Sequence, residues 1–123
     1  MREIEFRAKK KKTDTWVYGS LIVLKTKLKV QTLNSEVFTY KYSIKYLNKN
    51  GKYSICEVEE NTIGQYLGTG EYGRIYENMK LYDEYAEENC MIEYDEEDCG
   101  FRLCYEGYTE RIESLDGLHI IDN

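Results

Sequence analysis

One histidine, His119, and four cysteines, Cys56, Cys90, Cys99 and Cys104, are the side chains on which nucleophilic or soft-metal chemistry in this chain would have to rest. A Cys-His or Ser-His-Asp arrangement therefore has a single base available. That base stands between Leu118 and Ile120, a setting typical of packing or surface histidines. The cysteines form no C-x-x-C pair, so a zinc site would need ligands from distant segments, and buried thiols are the simpler role. Carboxylates are plentiful enough that a glycosidase-like pair or an oxygen-ligand metal site is easily assembled on paper. The run Asp95-Glu96-Glu97-Asp98, however, lacks the D-x-D-x-D-G order of a calcium loop. Gly68, Gly70 and Gly73 spell G-x-G-x-x-G, yet Arg74-Ile75-Tyr76-Glu77 after them reads as a strand where a dinucleotide site needs a helix. The expectation is a protein that is not an enzyme and uses no cofactor or metal.

Charge is the more informative chemistry. Residues 1–52 carry 13 Lys and Arg against four acids, a balance of +9, while residues 53–123 stand at −15, for a net −6. Such a split predicts a dipolar molecule, or halves that face different partners. Lys9, Lys10, Lys11 and Lys12 could grip phosphates. They also lie between two strand-like segments, where a solvated hairpin loop is the simpler assignment. Asp95, Glu96, Glu97 and Asp98 read either as a solvated turn or as a carboxylate array that imitates a phosphate backbone. An array of that kind would meet a basic protein surface and make its association salt-sensitive.

The elements that must position these groups are strands. Tyr outnumbers Phe thirteen to three and Pro is absent, a composition that favours β-structure. Phe38, Tyr40, Tyr42, Ile44 and Tyr46 alternate with Thr39, Lys41, Ser43 and Lys45, the period of a strand with one buried face. Asn50-Gly51 then marks a hairpin. Strands are expected at about 3–8, 15–24, 27–32, 36–47 and 52–58, again at Cys90 to Tyr94 and Phe101 to Tyr105, with an apolar tail from Ile112 covering a sheet edge. Residues 77–89 fit a strand or a short helix equally well. Tyr66, Tyr72, Tyr76, Tyr82 and Tyr85 lie in a less regular, acidic stretch where contact with a partner and core packing are comparably good explanations.

With 123 residues the chain is long enough for one compact domain, 1–123, read as a basic β-meander part over 1–60 and an acidic part over 61–123. No apolar run approaches the length of a membrane span, and Met1-Arg2-Glu3-Ile4-Glu5 offers no secretory h-region. Thiols in a reducing cytoplasm follow as the expectation.

Two blocks carry a resemblance. Arg2-Glu3-Ile4-Glu5-Phe6-Arg7-Ala8 with Val17-Tyr18-Gly19 is similar to the opening of YopX-like phage proteins. Asn61-Thr62-Ile63-Gly64-Gln65-Tyr66-Leu67-Gly68 and Gly73-Arg74-Ile75-Tyr76-Glu77 resemble that family's central motifs. Ile92-Glu93-Tyr94-Asp95 and Phe101-Arg102-Leu103 sit where the family has its later strands, whereas residues 20–60 match only in spacing. The chain departs from the pattern at Lys9, where the family has tryptophan, and at Asn78-Met79, where it has Gly-Asp. The resemblance implies a mainly β protein with an SH3-like barrel in the C-terminal half, at most short helices, and an origin in a phage or mobile element.

Together these readings point to a non-enzymatic accessory protein in the bacterial host cytoplasm. It would bind a host protein that carries a basic nucleic-acid-binding surface, with counter-defence as the concrete form. Glu93, Asp95, Glu96, Glu97, Asp98, Tyr66 and Tyr76 are the expected contact residues. The alternatives are nucleic-acid binding through Lys9, Lys10, Lys11 and Lys12, or a homo-oligomer that sequesters a small ligand.

Overall fold

A computed structural model describes residues 4–28 and 37–122. The chain is mainly β, with two curled antiparallel sheets forming a half-barrel. Eleven strands are described: β1 (Phe6–Lys9), β2 (Trp16–Leu28), β3 (Val37–Leu47), β4 (Tyr53–Glu57), β5 (Gly64–Gly70), β6 (Gly73–Tyr76), β7 (Lys80–Asp83), β8 (Glu88–Asp95), β9 (Gly100–Tyr105), β10 (Tyr108–Arg111) and β11 (Leu118–Asp122). A 3-10 turn at Glu60–Thr62 is the one helical element among the described residues. The first sheet has the order β4-β3-β2-β1-β5-β6 and the second β10-β9-β8-β7-β11.

Two expectations are corrected here, and one open between strand and helix is decided for the strand. The separate strand at 27–32 does not begin after a break: β2 runs on to Leu28, in register with β3 from Ser20↔Lys45 to Leu28↔Val37. Residues 29–32 lie outside the described residues. The division at residue 60 also moves. β5 and β6 extend the first sheet because β1, only four residues long, leaves an edge that Gln65 and Gly64 pair against, so the sheets part after Tyr76. Residues 77–89 resolve as turn, strand and turn. Asn78 takes a left-handed φ of 65°, its N–H donates to the Ile92 carbonyl at 2.9 Å, and β7 follows. An amide side chain tolerates that conformation better than most.

Strand alternation sorts the first sheet into two faces. Ala8, Val17, Ile44 and Val58 are buried on one, with Phe6, Tyr42, Tyr46, Cys56 and Ile63 packed against them. The Phe38–Tyr46 stripe feeds this core only at its inner end: Ile44 is fully buried while Tyr40 is 53% exposed. The reason is strand length. β1 covers β2 only from Trp16 to Gly19, and β4 covers β3 only from Ser43 to Leu47. Residues 24–28 and 37–41 therefore project as a two-stranded arm, held by the β2–β3 ladder and contacts such as Lys25 over the Phe38 ring at 3.9 Å. A second core gathers Ile75, Tyr76, Met79, Leu81, Cys90, Ile92, Leu103, Tyr105 and Leu118. β11 closes the free edge of β7, as the apolar tail suggested.

Gly64 lies opposite Arg7 in the β1–β5 ladder. A Cβ there would come within 2.3 Å of the Glu77 carbonyl oxygen, so no side chain fits without moving backbone. Gly64→Ala is expected to cost about 1–3 kcal/mol of stability by overpacking, measured by urea unfolding. Two-stranded ribbons are marginal on their own. Amide hydrogens of residues 24–28 and 37–41 should accordingly exchange much faster than those of Val17 and Ile44, as read by hydrogen–deuterium exchange.

Candidate functional site

The densest polar constellation lies on the face of the first sheet away from the Ile44 core. Arg7 on β1 pairs in register with Tyr18 and Lys9 with Trp16, so all four project to this face. Arg7 is only 3% exposed. Its guanidinium carbon sits 3.9 Å from the centre of the Trp16 ring and 5.5 Å from that of Tyr76. The Tyr76 ring meets Tyr18 at 5.6 Å and Tyr66 at 5.5 Å, and Arg74 caps Tyr66 at 4.1 Å. Glu5 ties off this ladder: its carboxylate accepts a hydrogen bond from the Tyr76 hydroxyl at 2.9 Å and forms an ion pair with Arg74. Arginines between aromatic faces gain about 0.5–1 kcal/mol each when exposed and about 2 or more when desolvated.

Tyr76 is 2% exposed and so cannot present itself to a partner as the sequence led us to expect; its ring is claimed by the second core. Tyr66 is half-buried beneath Arg74, its hydroxyl 2.7 Å from Thr69 Oγ1. Desolvation, together with the Glu5 hydrogen bond, pushes the Tyr76 phenol up to about 12.

The acidic turn between β8 and β9 is not four equivalent carboxylates. Asp95 is half-buried and its Oδ1 accepts the Glu97 N–H at 2.9 Å. Asp98 pairs with Arg102 at 3.1 Å. Glu96 and Glu97 are exposed, and Glu93 stands exposed on β8 opposite Arg102.

A larger acidic feature was missed in the sequence. Asp83, Glu110, Glu113 and Asp116 line a cleft of about 630 Å³ with Tyr85, Tyr105, Ser114 and Arg111. Its floor is fixed. Buried Asp83 accepts the Tyr105 hydroxyl at 2.5 Å and the Tyr85 N–H at 3.0 Å. Glu110, Glu113 and Asp116 are close in sequence, but Asp83 comes from β7, so no spacing rule could have joined it to them.

The four lysines of the first loop are dispersed. Lys9 belongs to β1 and lies 5.3 Å over Trp16, whereas Lys10 lies 5.3 Å over Tyr46 on the opposite face. Lys11 is paired with Glu57 at 2.9 Å, and that hydrogen bond holds its ammonium above the ordinary lysine range. Lys12 is exposed in a left-handed conformation. Lys25 projects from the Ile44 side of the sheet, while Lys41 and Lys45 project from the other. No single face collects them as a phosphate-binding surface.

The groups first considered for catalysis are engaged elsewhere. His119 stacks on Tyr72 at 3.8 Å and contacts Glu84 at 2.9 Å. Burial pushes the Cys90 thiol up to about 11 and raises Cys56 and Cys104 as well, which favours the unreactive thiol form. Among the described residues no three His, Cys, Asp or Glu side chains gather as metal ligands.

The raised Tyr76 phenol makes a signed prediction. A phenol at about 12 in the native state, against about 10 when unfolded, stabilises the fold fully below pH 10, and this contribution is lost as pH rises from 10 towards 12. The stability advantage of the wild type over Tyr76→Phe, about 1 kcal/mol at pH 8, should therefore shrink between pH 10 and 12 in paired urea unfolding curves. Compared with known proteins, the chain matches no family model, no curated protein and no solved structure.

Proposed function

We propose that this chain is a non-enzymatic binding module of a phage or mobile element that engages a basic host-protein surface through its acidic half. The observation that carries the reading is the cleft of Asp83, Glu110, Glu113 and Asp116, a concave site about the size of a ligand pocket with a preponderance of carboxylates. From Lys80 to Asp122 the chain has fourteen acids against three basic residues, and Arg111 is the one basic residue in the cleft lining. A lysine or arginine side chain of a partner fits this chemistry: the carboxylates supply charge-assisted hydrogen bonds, and Tyr85 and Tyr105 supply aromatic walls.

In this reading the turn of Glu96 and Glu97, with Glu93, steers the encounter, and the cleft holds the complex. A surface that binds nucleic acid would present such a partner, and obstruction of it is the counter-defence form of the proposal. The resemblance to YopX-like proteins supports an action in the bacterial cytoplasm. No helix among the described residues is long and apolar enough to cross a membrane. Dispersion of the lysines over both faces of the first sheet gives the nucleic-acid alternative no comparable support.

The test is capture from nuclease-treated bacterial lysate followed by affinity measurement on the retained protein. A stoichiometric partner released by rising salt is expected. Glu110→Gln/Glu113→Gln/Asp116→Asn should weaken it about tenfold or more by accelerating dissociation. Neutralising Glu93, Asp95, Glu96, Glu97 and Asp98 should chiefly slow association. Unchanged affinity in both variants would overturn the proposal.

A further inference from the structure

The two sheets end on β4, β6, β10 and β11. β6 and β11 lie close together, since a Cβ on Gly73 would stand 3.2 Å from Ile120 Cδ1. β4 and β10 are the open ends: among the described strands β4 pairs with β3 alone and β10 with β9 alone. The ladder shows which backbone groups of β4 are left over. Val58 N–H donates to the opposite Tyr42 carbonyl at 3.0 Å, and Asn48 N–H to the opposite Lys52 carbonyl at 2.8 Å. Bonded pairs of an antiparallel ladder recur at every second residue, so Ile44–Cys56 and Tyr46–Ser54 are the bonded pairs between them. The N–H and C=O of Tyr53 and Ile55 therefore point away from β3. The Glu57 carbonyl points the same way and accepts the Lys11 N–H at 3.1 Å, which closes that end of the strand only. In β10 the tight turn Glu106-Gly107 makes Tyr105 and Tyr108 a bonded pair, which leaves Thr109 and Arg111 to direct their backbone groups outward.

The side chains at these two ends are opposite in character. Leu47, Tyr53 and Ile55 share one face of the β3–β4 hairpin, and each is more than half exposed. Grouped apolar exposure of this kind marks a surface that meets a partner. Lys45 stands opposite Ile55 with its ammonium 4.8 Å over the Tyr53 ring, and exposed Lys49 and Lys52 lead into the strand. Glu57, the carboxylate of β4, is already paired with Lys11 at 2.9 Å and Lys41 at 3.8 Å. β10 is exposed along its whole length. Glu106 before it, Glu110 within it and Glu113 after it are exposed and outnumber Arg111.

We infer that the occupant of each open edge is a second copy of this chain, with β4 of one copy pairing against β10 of the next. Unpaired edge strands are templates for such addition. Charge selects the pairing. β4 against β4 would set Lys45 and Lys52 beside their own counterparts, and β10 against β10 would do the same with Glu106 and Glu110. Like charges brought together across a strand pair are destabilising, whereas the mixed pairing joins opposite signs. The contact is heterologous, so a pair retains one free β4 and one free β10, and association continues into a ring or a chain. This inference does not rest on the host-partner reading, although Glu110 belongs to both surfaces.

Sedimentation velocity of the purified full chain, over a range of concentration and salt, forms the test. Concentration-dependent growth beyond the monomer is expected, receding as salt rises. Lys45→Glu/Lys52→Glu and Glu106→Lys/Glu110→Lys, each shown by circular dichroism to be folded, should each weaken self-association about tenfold or more. Mixing the two variants should restore association, because the first keeps its β10 intact and the second its β4. Ile55→Pro removes an outward N–H that β3 does not use, so it should weaken assembly while leaving the sheet folded. A monomer at every concentration up to about 1 mM in low salt would overturn the inference. So would association that only one of the charge-reversed variants loses, with no mixed complex, since that is the signature of β4–β4 or β10–β10 contact. Association that neither variant weakens would overturn it as well.

Discussion

The architecture depends on how a buried guanidinium is accommodated. Arg7 lies in the four-residue strand that joins the β2–β4 meander to β5 and β6, and it is almost fully withdrawn from water. Removing such a charge from solvent costs several kcal/mol unless the surroundings compensate. Here the Trp16 ring comes from β2, the neighbour of β1, and the Tyr76 ring from β6, one strand beyond β5. The requirement that both rings be present couples the meander to β6, and through Tyr76 to the second core. Gly64 completes the arrangement by letting the chain after Tyr76 pass close to β5 opposite Arg7.

That coupling also organises the electrostatics. The ladder also lines a small cleft, which shares Arg7 and Trp16 with it. The acidic cleft lies on elements of the second sheet and its connecting segments, with Asp83 locked by Tyr105. The charge asymmetry of the chain thus does not become a single basic face, because the lysines of the meander alternate between faces.

Much of the first sheet was legible in the residues. Alternation from Phe38 to Tyr46 and the Asn50-Gly51 turn predicted β3, the hairpin and β4; Asn48 Oδ1 does accept the Asn50 and Lys52 N–H groups there. The failure within that stretch is instructive. Tyr40 shares the apolar face of Ile44 by period, yet it is exposed, because burial requires a neighbouring element and neither β1 nor β4 reaches so far. Tyr76 failed in the opposite sense, since its acidic surroundings in sequence gave no sign that Arg7, Tyr18 and Tyr66 would enclose it.

The sequence by itself determined the class of structure and the sign of each half. Strand periodicity is a local property of side chains on a pleated backbone, and charge is conserved whatever the fold. Only the tertiary structure decided which groups meet. Pairing of β1 with β5 brings Arg7 to Gly64 across 57 residues, and the approach of β7, β10 and the segment before β11 collects Asp83, Glu110, Glu113 and Asp116. Such contacts are settled by which sheet edges remain open and which cores remain uncovered, and those quantities exist only once the strands have assembled.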